Sequence, residues 1–212
     1  MLRLTTWRWV PPFARSHVRD LRVRWALEEA GLAYETRLIG GDSWDAEAYR
    51  REQPFGQVPV LEEDGLVLFE SGAIVLHIGE RSETLLPREP AARARAMAWV
   101  FAALNTIEVA VQPLAEIDFF YAEEAWAKQR RPAAQERVAG RLADLAAWLG
   151  DRPYLEGSFT AGDLMMTTVL RMLTGSETLN AHPALVAYLD RNEQRPAFRK
   201  AMADHMAVYA DG

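Results

Sequence analysis

The chain has 212 residues, 50% of them hydrophobic and 25% charged, which suits one large or two modest globular domains. Its net charge of −6 argues against nucleic acid as a partner, and the lack of cysteine excludes disulfides, cysteine-ligated zinc and a cysteine nucleophile. No apolar signal region opens the sequence, and the longest apolar run, 96–104, is shorter than the ~20 residues of a membrane span, so we expect a cytoplasmic protein without a membrane partner.

The first part of the chain alternates between strand and helix patterns. Residues 2–7 and 33–39 have the alternation typical of strands, and residues 17–30 predict a helix that is apolar on two sides. A strand, a helix and a strand with short connections predict a parallel βαβ unit. Asp42 or Ser43 is then expected to cap a short helix.

A β-hairpin is predicted next, because two apolar runs, 58–61 and 66–69, flank an Asp-Gly turn. Pro59 lies near the start of the first run, so that strand is expected to lie at an edge of the sheet or to begin there. Ser71 is expected to cap the helix that follows. The order βαβ–α–ββα is the thioredoxin-like arrangement, and it is predicted to span residues 1–82.

The start of the helix at Ser71 is suited to holding a small zwitterion. Its free amide groups attract a carboxylate, and the carboxylate of Glu70 can accept an ammonium group. The other interpretation of these two residues is an ordinary strand end followed by a helix cap.

The second part of the chain shows helix patterns without a convincing strand. Residues 83–90 predict a linker, and residues 91–212 predict an all-α domain. Pro113 is expected to kink or interrupt the first helix. Helices are predicted at 91–112, 133–149, 183–191 and 196–209. Thr160 and Asp163 have the spacing of a capping box, so the role of Asp163 is expected to be structural.

The Val58-Pro59 pair, the hairpin and the segment 70–74 resemble the glutathione-binding half of the cytosolic glutathione transferases. The resemblance covers nearly the whole chain. It implies a cis peptide bond before Pro59, backbone pairing of Val58 with the cysteinyl part of glutathione, and recognition of the γ-glutamyl end by Glu70 and Ser71. Gln57 either contacts the same ligand or is an exposed hairpin residue.

The residue that activates the thiol is the point where the chain departs from the family. Family members place a Tyr, Ser or Cys just after the first strand, whereas this chain has no Cys and no Tyr before Tyr34. Thr6 falls near the family's Tyr position, and Trp7, near its Ser position, has no hydroxyl. Ser16 is the other candidate hydroxyl, although it also suits a cap of the helix over 17–30.

Arginine dominates the first 24 residues, which hold six arginines against one acid. One interpretation is a positive potential over an anionic ligand and its thiolate, with Arg19 near the helix start as the strongest candidate. The other is a solvated helix face together with a compositional bias. The six residues are Arg3, Arg8, Arg15, Arg19, Arg22 and Arg24.

A polar stripe in the long helix is formed by Asn105, Glu108 and Gln112 at helical spacing. The corresponding helix of the family faces both the cleft and the dimer partner, so these residues line either a site or an interface. Phe119 and the aromatic residues after it suit an apolar electrophile pocket or a plain core.

The resemblance therefore implies a glutathione transferase of non-cysteine type, a homodimer that joins glutathione as cosubstrate to a small electrophile. A glutathione-dependent isomerase or dehalogenase is the alternative on the same site. A catalytically silent member used for protein contacts is the alternative from another class. The four histidines lack ligand spacing, so no metal site is predicted.

Overall fold

A computed structural model describes residues 1–41 and 44–210. Their contacts divide the chain into two compact units. The first unit consists of Met1–Leu86 together with Arg195–Gly212, and the second unit is Pro87–Gln194. The predicted fold class, a thioredoxin-like domain followed by an all-helical region, is confirmed. The domain ranges 1–82 and 91–212 remain predictions, and the contacts of the closing helix join it to the first unit.

The sheet of the first unit has four strands in the order β2-β1-β3-β4. The strands are β1 Leu2–Trp7, β2 Tyr34–Ile39, β3 Val60–Glu63 and β4 Leu66–Phe69. β2 runs parallel to β1, as the predicted βαβ unit requires, while β3 and β4 are antiparallel to their neighbours. β3 is an inner strand that begins directly after Pro59. The expectation of an edge strand is therefore wrong, and the expectation that the strand begins at Pro59 holds.

The register of the sheet brings three separate segments together at one edge, here meaning the side of the sheet where strands begin or end. Thr5 pairs with Val60 and Val60 pairs with Phe69, so the end of β1, the start of β3 and the end of β4 are neighbours. Trp7 is the last residue of β1, the Val58-Pro59 pair comes directly before β3, and Glu70 comes directly after β4. The candidate site therefore lies at this edge of the sheet.

The helices of the first unit are α1 Asp20–Ala30, α2 Ala46–Tyr49, α3 Ser71–Gly79 and, from the end of the chain, α10 Pro196–Ala207. A 3₁₀ turn, Pro12–His17, precedes α1. The predicted start of α1 at residue 17 is wrong, because Val18 has extended backbone angles that separate the turn from the helix. Ser16 therefore lies in the turn and does not cap α1, whose N-cap is Arg19.

The start of α2 is capped by Asp45, whose carboxylate accepts hydrogen bonds from the backbone N–H groups of Glu47 and Ala48. The capping predicted for Asp42 or Ser43 falls outside the residues that the structure describes.

Helix α10 packs on α1, although the two are far apart in sequence. The rings of Trp25 and Phe198 meet edge to face with centroids 4.9 Å apart. The guanidinium of Arg195 makes two hydrogen bonds to the carboxylate of Glu29, at 2.6 and 2.8 Å. Both pairs lie along the C-terminal half of α1, and together they explain why the closing helix belongs to the first unit.

The second unit contains α4 Pro90–Ala102, α5 Val109–Phe120, α6 Ala125–Leu149, α7 Ala161–Leu170, α8 Glu177–Asn180 and α9 Pro183–Glu193. Of the two effects predicted for Pro113, the interruption is wrong, because α5 continues through this residue, and the kink stays a prediction. The irregular part is instead a π-helical turn, Ala103–Glu108, between α4 and α5. The predicted start of α6 at residue 133 is also wrong, since the helix begins at Ala125 with Pro132 inside it.

Helix α7 begins with the capping box that the sequence predicts. The Thr160 hydroxyl accepts from the N–H of Gly162 at 3.2 Å, and the Asp163 carboxylate accepts from the N–H of Thr160 at 2.9 Å. Asp163 is fully buried and also accepts from the N–H of Leu155 at 2.9 Å. These bonds give it the structural role that its spacing indicates.

The continuous helical segment from Pro90 to Phe120 is long and apolar enough to cross a membrane by length and composition alone. Only 39% of its apolar window is buried within the described chain. The core helix of a soluble protein passes the same test, and the expectation of no membrane partner stays a prediction.

Candidate functional site

The segment before β3 is held in place by Tyr49, whose hydroxyl donates to the carbonyl of Gln57 at 2.8 Å. The peptide bond between Val58 and Pro59 is cis, as the family resemblance implies. Val58 is buried, whereas the side chain of Gln57 is exposed. The structure thus fixes the backbone of Val58 at the edge of the sheet.

Glu70 joins β4 to α3 in a conformation that residues other than glycine rarely adopt, with φ 68° and ψ 111°. Such a backbone costs about 1–3 kcal/mol and is found mainly at functional sites. Glu70 is the N-cap of α3, and no side chain caps this helix within the described chain. The predicted cap at Ser71 is therefore wrong, because Ser71 is already the first residue of the helix.

The hydroxyl of Ser71 accepts a hydrogen bond from Nη1 of Arg22 at 3.2 Å. Both side chains are buried, with Arg22 4% and Ser71 5% exposed. A buried guanidinium therefore lies beside the uncapped start of α3. The positive end of the helix and this cation together favour an anionic group, such as a carboxylate.

The predicted thiol-activating residues differ in their accessibility. Thr6 is fully buried near the end of β1. Burial raises the pKa of Tyr209 to about 12, against the opposing effect of Thr6. Ser16 and Arg19 are partly exposed, the first in the 3₁₀ turn and the second at the N-cap of α1.

The arginines of the first 24 residues do not form one solvated face. Arg22 and Arg24 are almost completely buried, and Arg24 pairs with the buried carboxylate of Asp20 at 2.9 Å. The side chain of Arg3 is half exposed, 3.6 Å from Glu62. Arg15 donates to the carbonyl of Tyr209 at 3.3 Å. The solvated-face interpretation is therefore wrong for Arg22 and Arg24.

An aromatic cluster that sequence reasoning missed lies beside Val58. The rings of Trp7 and Trp44 meet edge to face at 4.9 Å, and both pack against a core that includes Tyr49 and Val58. Nε1 of Trp44 is buried and has no acceptor among the residues that the structure describes. Trp7, Trp44, Tyr49 and Val58 are far apart in the sequence and follow no periodic pattern, so the sequence does not predict the cluster.

The polar stripe predicted in the second unit is divided in the structure. Asn105 and Gln112 are exposed, whereas Glu108 is buried. The π-helical turn explains the difference, because it changes the angle between successive side chains along 103–108.

Phe119 lies in the wall of a cavity of about 340 Å³ within the second unit. It is 40% exposed, and three nearby aromatic side chains are also exposed, which excludes a plain core for this group. They are Phe120, Tyr121 and Trp126.

Across residues 1–41 and 44–210, no three His, Asp or Glu side chains are grouped so that they would hold a metal ion.

Comparison with known proteins gives a consistent result. Residues 13–80 match the family model described as the glutathione S-transferase N-terminal domain. Hematopoietic prostaglandin D synthase of Gallus gallus is 30% identical over 82% of this chain and 84% of that protein. Elongation factor 1-gamma of Trypanosoma cruzi is 29% identical over 83% of this chain. The matched part covers only 43% of the length of that protein.

A solved structure agrees with these relatives. The theta class glutathione S-transferase from the citrus canker pathogen Xanthomonas axonopodis pv. citri, with glutathione bound, is 30% identical with a TM-score of 0.77. The match covers 95% of this chain and 96% of that one. The chain belongs to the glutathione S-transferase family, which confirms the resemblance found in its sequence. Family membership supports glutathione transferase activity in general terms.

Proposed function

We propose that the chain binds glutathione at the edge formed by the Val58-Pro59 pair, Glu70 and Ser71, and transfers it to a small electrophile. The observation that carries the proposal is the uncapped start of α3, with the Arg22 guanidinium bonded to Ser71 and the strained Glu70 in front of it. The α-carboxylate of the γ-glutamyl group fits the amides of α3 and the Ser71 hydroxyl. Its ammonium group fits the exposed carboxylate of Glu70.

The cysteinyl part of glutathione is proposed to pair with the backbone of Val58. Val58 precedes β3 at the edge where β1 and β4 also end. An extended ligand backbone that pairs there is held by main-chain hydrogen bonds in the manner of an added strand. Exposed Gln57 is a further proposed contact for the polar ends of glutathione.

The proposed reaction needs only thiolate stabilisation and proximity to an electrophilic carbon. A free thiol has a pKa of about 8.5, so a few per cent is thiolate at neutral pH. The N-terminus of α1 and Arg19 at its cap supply positive potential without a cysteine. The thiolate attacks the electrophile, a leaving group departs, and no covalent bond to the protein forms.

The residues for the electrophile are proposed from the second unit. Phe119 and the exposed aromatic residues beside it suit an apolar substrate. Exposed Asn105 is proposed for either a site or an interface, whereas Glu108 is buried. We also propose a homodimer, because exposed apolar side chains occur on both units. Phe55 is 63% exposed on the first unit and Phe101 50% exposed on the second.

Turnover of an activated aryl halide with glutathione tests the transferase proposal. We expect product formation that depends on both reactants and is lost when the thiol is replaced by a hydroxyl in a glutathione analogue. Ser71→Ala should reduce the rate at low glutathione concentration more than at saturation, since it weakens binding. Glutathione binding without any turnover across a panel of electrophiles would contradict a transferase.

Relatives that are not named as transferases, a prostaglandin D synthase and an elongation factor 1-gamma, leave two alternatives open. The first is a glutathione-dependent isomerase on the same site, in which glutathione is regenerated and not consumed. The second is a member used for protein contacts, which binds without turnover. Measuring the glutathione concentration during turnover separates the first from a transferase, and the absence of turnover with every electrophile favours the second.

A further inference from the structure

The 3₁₀ turn Pro12–His17 and helix α1 do not form one continuous helix. Val18, which lies between them, has extended backbone angles, φ −63° and ψ 135°. Because the helical geometry is interrupted at Val18, helical hydrogen bonds alone do not fix the direction of the turn relative to α1. Ser16 and Arg19, two of the candidate thiol-activating residues, lie on opposite sides of this interruption. Residues 15–20 form the joining segment between turn and helix.

The imidazole of His205, on α10, contacts both ends of the joining segment. Its Nε2 lies 2.5 Å from the carbonyl oxygen of Arg15. Its Nδ1 lies 3.1 Å from a carboxylate oxygen of Asp20, the first residue of α1. A carbonyl oxygen only accepts, so Nε2 donates to it. His205 and Asp20 are both fully buried. A single buried ring thus connects the start of the joining segment to its end.

A second contact from the C-terminal part of the chain holds the side chain of Arg15. Its Nη1 donates to the carbonyl of Tyr209 at 3.3 Å, and its guanidinium carbon lies 5.8 Å from the centre of the Tyr209 ring. That ring is 3% exposed and meets the ring of His205 edge to face, with centroids 5.4 Å apart. Both the backbone and the side chain of Arg15 are therefore held by residues at the end of the chain.

Asp20 has a further buried partner within α1. Its carboxylate accepts from Nε of Arg24, one helical turn further along, at 2.9 Å. Arg24 is 2% exposed. Buried ionic groups add little net stability compared with apolar side chains of similar volume, so the position that they impose is the better explanation for this cluster.

We propose that His205 is a positioning residue for the glutathione thiol, because it holds the joining segment so that Ser16 and Arg19 face the sulfur atom. This inference rests on the proposed function. His205 has no exposed surface, so it acts through the carbonyl of Arg15 and the carboxylate of Asp20 and does not touch the ligand. Misplacing a catalytic group by about 1 Å costs on the order of 100-fold in rate, so loss of these two contacts affects the reaction even where the fold is kept.

The first test is His205→Phe, which removes both polar contacts and keeps an aromatic ring against Tyr209. We expect the thiol pKa of bound glutathione to rise by about one unit toward the free value of about 8.5. With an activated aryl halide, and at a pH below the thiol pKa of the wild type, kcat should fall about tenfold, because less of the bound thiol is thiolate. KM for glutathione should stay unchanged, because the residues proposed to bind its γ-glutamyl end are not altered.

Two conservative variants separate positioning from a general loss of stability. His205→Gln retains an N–H donor that reaches the carbonyl of Arg15, so its thiol pKa should stay closer to the wild-type value. His205→Asn has a shorter side chain that leaves this carbonyl without a donor, and it should behave as His205→Phe does. Phe198→Leu is the matched control, because it loosens the contact with Trp25 at the other end of α10. It should lower the free energy of unfolding in urea without changing the thiol pKa.

Hydrogen exchange of the joining segment gives a measurement that does not depend on catalysis. We expect faster exchange in His205→Phe and His205→Asn than in the wild type and Phe198→Leu. The proposal is overturned if exchange of this segment is the same in all four proteins, or if the wild type lowers the thiol pKa and His205→Asn lowers it equally. A thiol pKa of about 8.5 in wild-type complexes would overturn the transferase proposal as well, and any change in exchange would then show a structural role only.

Discussion

Nη1 of Arg22 lies 3.2 Å from the hydroxyl of Ser71, a residue 49 positions further along the chain. The bond joins the buried face of α1 to the first turn of α3. Because the hydroxyl oxygen accepts from Arg22, its proton is free to donate to a ligand carboxylate. The arginine thus orients Ser71 and adds a permanent positive charge beneath the proposed γ-glutamyl site.

Ser71→Ala and Glu70→Ala are each expected to weaken glutathione binding about tenfold or more. Each change removes a hydrogen bond to a charged group of the ligand, which is worth about 1.5–3 kcal/mol. Calorimetric titration with glutathione measures the effect. Glu136→Ala, at an exposed position of the second unit, is the control and should leave the dissociation constant unchanged. Unchanged constants in both site variants would show that glutathione binds elsewhere.

The features that were predicted from the sequence depend on residues close together in the chain. The hairpin with the Val58-Pro59 pair and the capping box of Thr160 and Asp163 are both local patterns, and the structure shows both. The sequence predicts β1 with its observed bounds, because Leu2 and Leu4 alternate with polar residues, although Thr5 and Thr6 are buried as well.

Features that depend on distant partners were not predictable in the same way. Arg22 and Arg24 belong to a run of arginines that suggests a surface, and only their contacts with Ser71, Tyr34 and Thr36 show why they are buried. The π-helical turn at Ala103–Glu108 has no signal of its own in the sequence, yet it decides that Glu108 is buried.

The carboxylate of Glu63 is expected to make the stability of the protein dependent on acid. Its hydrogen bond from Arg81 is the main cause that lowers its pKa to about 2 from an ordinary 4.5, with a further contribution from His77. The pKa is lower in the folded protein, so the stabilisation is present above pH 4.5 and is lost as the pH falls toward 2. Urea unfolding at several pH values measures this loss.

Glu63→Gln should lose less free energy of unfolding than the wild type over the same acidic range, because its amide does not titrate. Arg81→Met should behave similarly, since it removes the largest cause of the lowered pKa. If the free energy of unfolding falls equally with pH in all three proteins, the lowered pKa of Glu63 is not the cause of the acid dependence.

Asp163→Ala is expected to destabilise the protein by about 2–5 kcal/mol, because several buried donors lose their acceptor. These are the N–H groups of Leu155 and Thr160, both at 2.9 Å, and the hydroxyl of Tyr188 at 3.0 Å. Urea unfolding gives the change in free energy. Asp163→Asn keeps one acceptor oxygen and should lose less. A change in glutathione affinity of the folded variant would indicate a role beyond structure.

The proposed homodimer is expected to sediment with the mass of two 23.9 kDa chains at micromolar concentration. Leu66 and Val67 on β4 are further exposed apolar residues of the first unit, at 43% and 41%. The double variant Phe55→Ser/Phe101→Asp should shift the mass toward one chain. Met206→Ser, an exposed apolar residue of α10, is the control. A single-chain mass for the wild type would exclude the dimer at this concentration.

The last prediction concerns how the glutathione thiol is activated. Thr6 is fully buried, so we expect Thr6→Val to leave the thiol pKa of bound glutathione unchanged. Arg19 is partly exposed at the N-cap of α1, where a cation and the helix N-terminus both favour a thiolate. Ser16 is the partly exposed hydroxyl of the preceding turn.

Titration of thiolate absorbance for bound glutathione decides between charge and hydroxyl. We expect Arg19→Ala to raise the thiol pKa toward the free value of about 8.5, and Ser16→Ala to raise it by less. Each variant is measured at saturating glutathione, so that weaker binding is not mistaken for a change in pKa. Thr6→Val serves as the buried control. If Ser16→Ala alone restores the free value while Arg19→Ala has no effect, the hydroxyl of Ser16 activates the thiol and the electrostatic explanation is wrong.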